Sequence, residues 1–244
     1  MRLDVTTRAL TDVAADALVV ERHAGEARPG PEVARLDRAL QGLLGRVMAD
    51  ERFEGRAGEV TAVHTGGRLR AARVIVVGLG RRGEVTAETL RRAAGAAARR
   101  ARDLGAARVV FRLLGDGAPR TLTVARRAQA VGEGALLGLY SFDRYKSAGN
   151  GAGRPKVEAL TVLAPEAADA GVIREALEVA RLAAEAQTFA RDLINEPANV
   201  VTATALATEA RAIARAGRLR LRVFDRAGCQ RLGMGAFLGV NRGT

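Results

Sequence analysis

Arg73-Val74-Ile75-Val76-Val77-Gly78-Leu79-Gly80-Arg81-Arg82-Gly83 sets a β-branched apolar run against a glycine-rich turn, and the residues that follow decide what the run belongs to. Thr86 to Leu104 is rich in alanine, with Thr86 suited to cap a helix N-terminus. Arg108-Val109-Val110-Phe111-Arg112-Leu113 is then β-branched and apolar again. Strand, turn, helix and strand in that order are the building unit of an α/β sheet. Working back towards the N-terminus, residues 2–6, 17–20 and 59–64 read as further strands. Residues 31–48 place Val33, Leu36, Leu40, Leu43, Leu44 and Val47 at spacings of three and four behind Pro31, which predicts one amphipathic helix. Working forward, a helix fits 121–139 after Pro119 and a strand fits 157–163. The order predicts a mixed sheet covered by helices on both faces.

Ser147 to Pro155 concentrates residues that tolerate positive φ or break regular structure, so a loop or hairpin tip is expected there. Residues 166–190 carry Ile173, Leu177, Ala180 and Ala184 on one helical stripe, with Val172, Ala176, Val179, Ala183 and Ala186 beside it. This long, small-residue helix reads as a connector. Beyond it the pattern predicts a helix over 202–216, a strand over 219–224, a short helix over 226–232 and a strand over 236–240. Two strands begin a second α/β unit but fall short of the three that a stable sheet domain needs, so the stop at Thr244 reads as a truncation. The expected organisation is a domain over 1–165, a connecting helix over 166–190 and an incomplete α/β domain over 191–244.

The 244 residues are 48% hydrophobic but only 3% aromatic, which suits a core of Ala, Val and Leu between α/β layers. A net charge of +12 raises a polyanion partner, because clustered cations release counterions from nucleic acid. The cations are dispersed arginine pairs such as Arg81-Arg82, Arg91-Arg92, Arg99-Arg100 and Arg126-Arg127, and no block of five like charges occurs. Cys229 is the only cysteine, so an intrachain disulfide is excluded. No signal-peptide pattern opens the chain and no apolar run reaches about 18 residues, so a cytoplasmic protein without a membrane partner is expected.

Gly78, Gly80 and Gly83 fit the dinucleotide-binding pattern, in which glycines let the backbone approach a pyrophosphate at a helix N-terminus. An acidic ribose ligand belongs about 20 residues further on. Asp116, the best placed, lies beyond the next strand, and a plain strand-to-helix turn is the preferred reading of the glycines. His23 and His64 each lack a second His or a Cys at ligand spacing. Glu51, Glu54 and Glu59 surround Gly55 and Gly58 in a charged loop, and Cys229 reads as a small buried hydrophobe. Ser141 and Ser147 sit in no nucleophile elbow, and without Trp there is little for single-stranded bases to stack on. No catalytic, cofactor-binding or metal-binding residue is assigned from these patterns.

Three ordered stretches carry a resemblance: Glu133 to Ser147 (EGALLGLYSFDRYKS), Arg191 to Thr202 (RDLINEPANVVT) and Leu232 to Thr244 (LGMGAFLGVNRGT). Together they resemble the leucyl aminopeptidase (cytosol aminopeptidase) family of metallopeptidases: the helix and following strand that end its N-terminal domain, the opening of its peptidase domain, and a strand entry ahead of its active-site segments. Asp16 to Val20 and Val74 to Gly80 are similar to its N-terminal domain. The resemblance implies a macro-domain-like α/β N-terminal domain, a glycine turn that serves no nicotinamide cofactor, and an intact protein that assembles as a hexamer. It also implies that the intact family removes N-terminal residues from peptides using two divalent ions, manganese or zinc. The family's Gly-Lys-Gly-type strand, Asp-Ser-Gly-Gly turn and Asn-Thr-Asp-Ala-Glu-Gly-Arg loop belong after residue 244, and Lys146 and Lys156 sit in no ligand motif. The chain is therefore expected to be a non-catalytic structural and assembly module, inactive alone, the alternative being a basic DNA-binding regulatory domain.

Overall fold

The computed structural model describes residues 1–147 and 156–240. The expected loop at 147–155, apart from Ser147, and the final four residues lie outside the described residues. The chain divides into two compact units, Met1–Ala190 and Arg191–Thr244.

The first unit holds a six-stranded sheet made of β1 (Arg2–Thr6), β2 (Ala17–Arg22), β3 (Val60–His64), β4 (Arg73–Gly78), β5 (Arg108–Arg112) and β6 (Ala159–Leu163). The spatial order is β1-β6-β5-β2-β4-β3, with every pair parallel except β3 against β4. The mixed sheet is thus as the pattern predicted. Its helices are α1 (Pro31–Ala39), α2 (Leu43–Asp50), α3 (Ala87–Asp103), α4 (Val124–Gly138) and α5 (Ala170–Asn195), the last running past Ala190.

Strand alternation sends the apolar side chains to two cores. Val19, Ile75, Val77, Val109 and Phe111 face Leu90, Ala94, Val131, Ile173 and Leu177 of α3, α4 and α5. Leu18, Val20, Val74, Val76 and Val110 face Val33, Leu36, Leu44 and Met48 of α1 and α2. Thr86 caps α3 through a hydrogen bond from Thr89 N, and Thr123 caps α4 through one from Arg126 N.

The structure corrects several expectations. The predicted helix over 31–48 is two helices, because Gln41 (φ 56°) and Gly42 (φ 78°) turn left-handed between them. Asp37 Oδ1 accepts the Gly45 N–H at 2.8 Å and so fixes the first turn of α2. Residues 139–147 form no strand after α4. On α5, Ile173, Ala176, Leu177, Ala180 and Ala184 are buried, whereas Val172 and Val179 stay about half exposed.

The second unit contains α6 (Ala203–Ala216), α7 (Arg226–Arg231) and α8 (Gly235–Val240), and no strand among its described residues. Residues 219–224 alternate like a strand but find no partner among the described residues to complete a ladder. Residues 236–240 are a short apolar run, a length at which periodicity does not separate strand from helix. The apolar surface this unit exposes therefore lies on helices and an extended linker, at Leu206, Ile213, Leu219, Leu221 and Phe237, not along a strand edge. Helices of this length are marginal without a covered face. Amide hydrogen exchange should consequently show α6 and α8 exchanging orders of magnitude faster than β2 and β4. Equal protection would mean that these faces are covered in solution.

Candidate functional site

β2 and β5 are neighbours, but the chain leaves them in opposite directions, through α1 and α2 towards β4 and through α4 towards β6. In a parallel α/β sheet such a divergence opens a crevice at the carboxyl ends of the strands, the usual place for a ligand. Here the apolar run of β2 gives way to Glu21-Arg22-His23 at that end.

Glu21 organises the loop after β5. One carboxylate oxygen accepts the Gly115 N–H, and the other accepts the Asp116 N–H at 2.8 Å and lies 3.3 Å from His23 Nε2. His23 Nε2 is also 3.2 Å from the Asp116 carbonyl. Both neighbours only accept, so Nε2 carries the proton and donates. Arg82 closes the same loop from the turn after β4, with Nε 3.0 Å from Glu26 Oε1 and Nη1 2.9 Å from the Asp116 carbonyl. Arg127 on α4 donates to the Leu114 carbonyl at 2.8 Å; burial pushes its guanidinium down while Glu21 and Asp116 oppose the shift.

Four carboxylates (Glu21, Glu26, Glu32, Asp116) and three guanidiniums (Arg22, Arg82, Arg112) line the crevice with His23. Three of their polar atoms are buried without a hydrogen-bond partner: His23 Nδ1, Glu32 Oε2 and Arg22 Nε.

Burial alone would push the His23 imidazole down, but the Glu21 hydrogen bond and the Glu21 and Glu26 charges outweigh it, against Arg82, and the result is raised above the ordinary 6.5. A raised folded-state value stabilises the fold fully below the unfolded pKa and loses that contribution as pH climbs through the folded one. The stability gap between wild type and His23→Asn should therefore be widest below pH about 6.5 and narrow above it. Urea midpoints across a pH series measure this; a gap that widens with pH contradicts the assignment.

The glycine motif meets a different fate from a nucleotide loop. A Cβ on Gly78 would collide with the Arg56 carbonyl and lie 2.7 Å from Gly55 C, and Gly80 N donates to Gly55 O at 2.9 Å. The backbone approach that a pyrophosphate would need is occupied by the chain's own loop 55–57. Glu59 holds that loop by accepting the Glu54 and Arg56 N–H groups, each at 3.0 Å. Asp116 reaches the site through its backbone, and its side chain is exposed.

Other candidates stay apart. His64 lies on the edge strand beside Arg73 at 3.3 Å, and Cys229 is buried in the second unit. Ser141, Ser147, Lys146 and Lys156 are exposed, and Lys146 pairs with Asp143 at 2.5 Å. Among the described residues no group of three or more His, Cys, Asp or Glu side chains could hold a metal, and no helix is long and apolar enough to cross a membrane. The residues that sequence reading missed were Glu21 and Arg82 as partners of His23. A polar triplet ending a buried parallel strand was the available signal.

Residues 19–149 match the profile of the cytosol aminopeptidase family, N-terminal domain, and residues 188–244 match that of the same family's catalytic domain. A probable cytosol aminopeptidase of a Geobacter species is 36% identical over 244 residues, covering 100% of this chain and 48% of the relative. A second, from Solibacter usitatus, is 34% identical and covers 100% of this chain and 46% of the relative. The chain thus spans about half the length of the curated relatives it matches. Among solved structures, a tomato leucine aminopeptidase mutant superposes with a TM-score of 0.80 at 25% identity, over 98% of this chain and 47% of that one. The bottromycin maturation enzyme BotP in complex with Mn superposes with a TM-score of 0.65 at 34% identity, over 90% of this chain and 40% of that one.

Proposed function

The chain belongs to the cytosol aminopeptidase family, and from that premise we propose that residues 1–165 form its non-catalytic assembly module, 166–190 a connecting helix and 191–244 the opening of the peptidase domain. The complete protein would then be a cytoplasmic, metal-dependent aminopeptidase acting on peptide N-termini as a hexamer. The single observation that supports this reading is the extent of the matches: the N-terminal profile covers 19–149, the catalytic-domain profile only 188–244, and the chain spans about half of its curated relatives. Two divalent ions, manganese or zinc, are the cofactors we assign to the complete protein. The described residues of this chain do not offer a donor set that fits them.

Incubating the chain with a leucine anilide and manganese is expected to release no product above the blank. Metal-dependent turnover at enzymatic rates would overturn the assignment. Duplex DNA binding receives less support, because Arg82, Arg91, Arg92 and Arg108 each face a carboxylate. Mobility shift across a salt series decides it, since phosphate contacts lose affinity steeply as salt rises.

A further inference from the structure

We propose that the open edge of β1 is a docking surface for a second copy of this chain, the two β1 strands pairing antiparallel about a two-fold axis with Leu3 opposite Leu3. β1 and β3 are the two ends of the sheet, and among the described residues no strand pairs with the outer side of β1. Arg2 N donates to the Glu158 carbonyl and Ala164 N donates to the Thr6 carbonyl, each at 2.9 Å, so Arg2, Asp4 and Thr6 turn their backbone towards β6. Backbone groups alternate in direction along a paired strand, which leaves the N–H and C=O of Leu3 and Val5 facing away from β6, at the edge of the sheet. Such a row of unmet donors and acceptors is a template for another strand. A groove flanks this edge on each side, one between β1 and Arg174, Leu177 and Glu178 of α5, the other beside Arg8, Val13 and Thr161.

The side chains select the occupant and set the register. Leu3 and Val5 are half-buried and pack against the core shared with α5, whereas Arg2 and Asp4 lie on the opposite face, 2.6 Å apart and 73% and 46% exposed. Like charges along an edge would repel a copy of the same strand. Here the charges are opposite in sign and two residues apart, so an antiparallel copy can match both. With Leu3 opposite Leu3, the two residues exchange their outward N–H and C=O groups. Arg2 of each copy then falls opposite Asp4 of the other, at the non-hydrogen-bonded positions where side chains come closest. On the other face the exposed Met1 lies across from Val5, so that face is apolar throughout. The next register, Leu3 opposite Val5, sets Asp4 against Asp4, and the one after, Val5 opposite Val5, leaves Asp4 facing Thr6. The far edge strand, β3, carries no carboxylate and so offers no such pair. The arrangement is isologous and closes at two copies. It does not depend on the hexamer assigned to the complete protein, because a hexamer built through other faces would leave the Leu3 and Val5 amides open.

The full chain, without an N-terminal tag, is followed by sedimentation equilibrium and amide hydrogen exchange over a concentration series. The average mass should rise with concentration to twice that of Leu3→Pro, and exchange of the Leu3 and Val5 amides should slow in step. Leu3→Pro removes an N–H that β6 does not use, so it blocks the edge while the sheet stays intact. Should that variant not fold, the charge variants carry the test. Arg2→Glu and Asp4→Arg should each weaken association by about tenfold, because both cross-strand pairs become like-charged. Mixed in equal amounts, these two variants should recover the wild-type mass: the altered residues face each other, and the untouched Asp4 faces the untouched Arg2. The Arg2–Asp4 contact within each chain stays broken in that mixture, so a purely intrachain role for the pair predicts no recovery. A mass equal to that of Leu3→Pro at every concentration, or a mixture that fails to recover, overturns the proposal. Leu3 and Val5 amides whose exchange ignores concentration overturn it too. If slow, they would show the edge covered within one copy; if fast, an edge left free for a strand of another protein.

Discussion

Gly134→Ala is expected to destabilise the first unit by about 3 kcal/mol, although alanine is the better helix former. The two effects oppose each other and geometry decides between them. Alanine in a helix interior gains about 1 kcal/mol over glycine. A Cβ at Gly134, however, would run into the Arg91 carbonyl and lie 2.6 Å from Arg91 Cα, backbone atoms of α3 that no rotamer change can move. The seam continues one turn on, where a Cβ at Gly138 would lie 2.6 Å from Gly95 Cα. Helices α3 and α4 meet here backbone to backbone, and Arg91 Nε crosses the seam to Glu133 Oε2 at 2.6 Å while Gln129 holds the other oxygen at 2.7 Å. Parting the helices to admit a methyl group would stretch that half-buried bridge as well as open the core around Ala94 and Val131. Thermal melting followed by circular dichroism should show a drop of roughly 6–12 °C. Gly171→Ala on α5, where no atom lies within 4 Å of the added Cβ, should melt at or slightly above wild type. A Gly134→Ala protein as stable as Gly171→Ala would show that the seam is loose.

The sheet was legible because its strands announce themselves twice, by β-branched runs at 17–20, 73–78 and 108–113 and by the capped helices between them. The break at Gln41-Gly42 was not, because the apolar spacing continues in phase across it and only the backbone torsions reveal the turn. In the second unit the pattern misled for a physical reason. Alternation over 219–224 describes which side chains could share a face, whereas a strand exists only when another strand takes its backbone hydrogen bonds. The candidate site was half visible. His23 stood out as a rare residue with no ligand-spaced partner, and spacing along the chain is the wrong ruler for a parallel sheet. Glu21 lies two residues away on the same strand, whereas the Asp116 carbonyl comes from 93 residues further along the chain, brought in because β5 is the neighbour of β2. The glycine motif failed for the converse reason: its sequence fits a phosphate loop, but loop 55–57 fills the space the phosphate would take.

Glu21→Ala should remove the organiser of that site and cost about 3 kcal/mol. The carboxylate side chain is 13% exposed and serves three donors, the Gly115 and Asp116 N–H groups and His23 Nε2. Gly115 is buried, so its orphaned N–H carries the penalty of an unsatisfied buried donor, about 1–3 kcal/mol, while exposed Asp116 can turn to water. His23 keeps only the Asp116 carbonyl, on a loop that has lost its anchor. Glu21→Gln keeps one acceptor oxygen but turns an amide N–H₂ towards donors, so its loss should fall between alanine and wild type. Stability alone would not distinguish an organiser from a well-packed side chain, but the titration of His23 does. With the Glu21 charge gone, the influences left on the ring are burial and Arg82, which push down, and the charge of Glu26, which pushes up. The His23 value should fall below that of the wild type in both variants. If it drops below the unfolded value, the linkage reverses: protonation then favours the unfolded chain, and stability rises with pH where the wild type loses its imidazolium contribution. NMR titration of the His23 ring together with exchange of the Gly115 amide measures both effects. An unchanged titration alongside a slow Gly115 amide would mean that the loop after β5 is held by Arg82 and Arg127 alone.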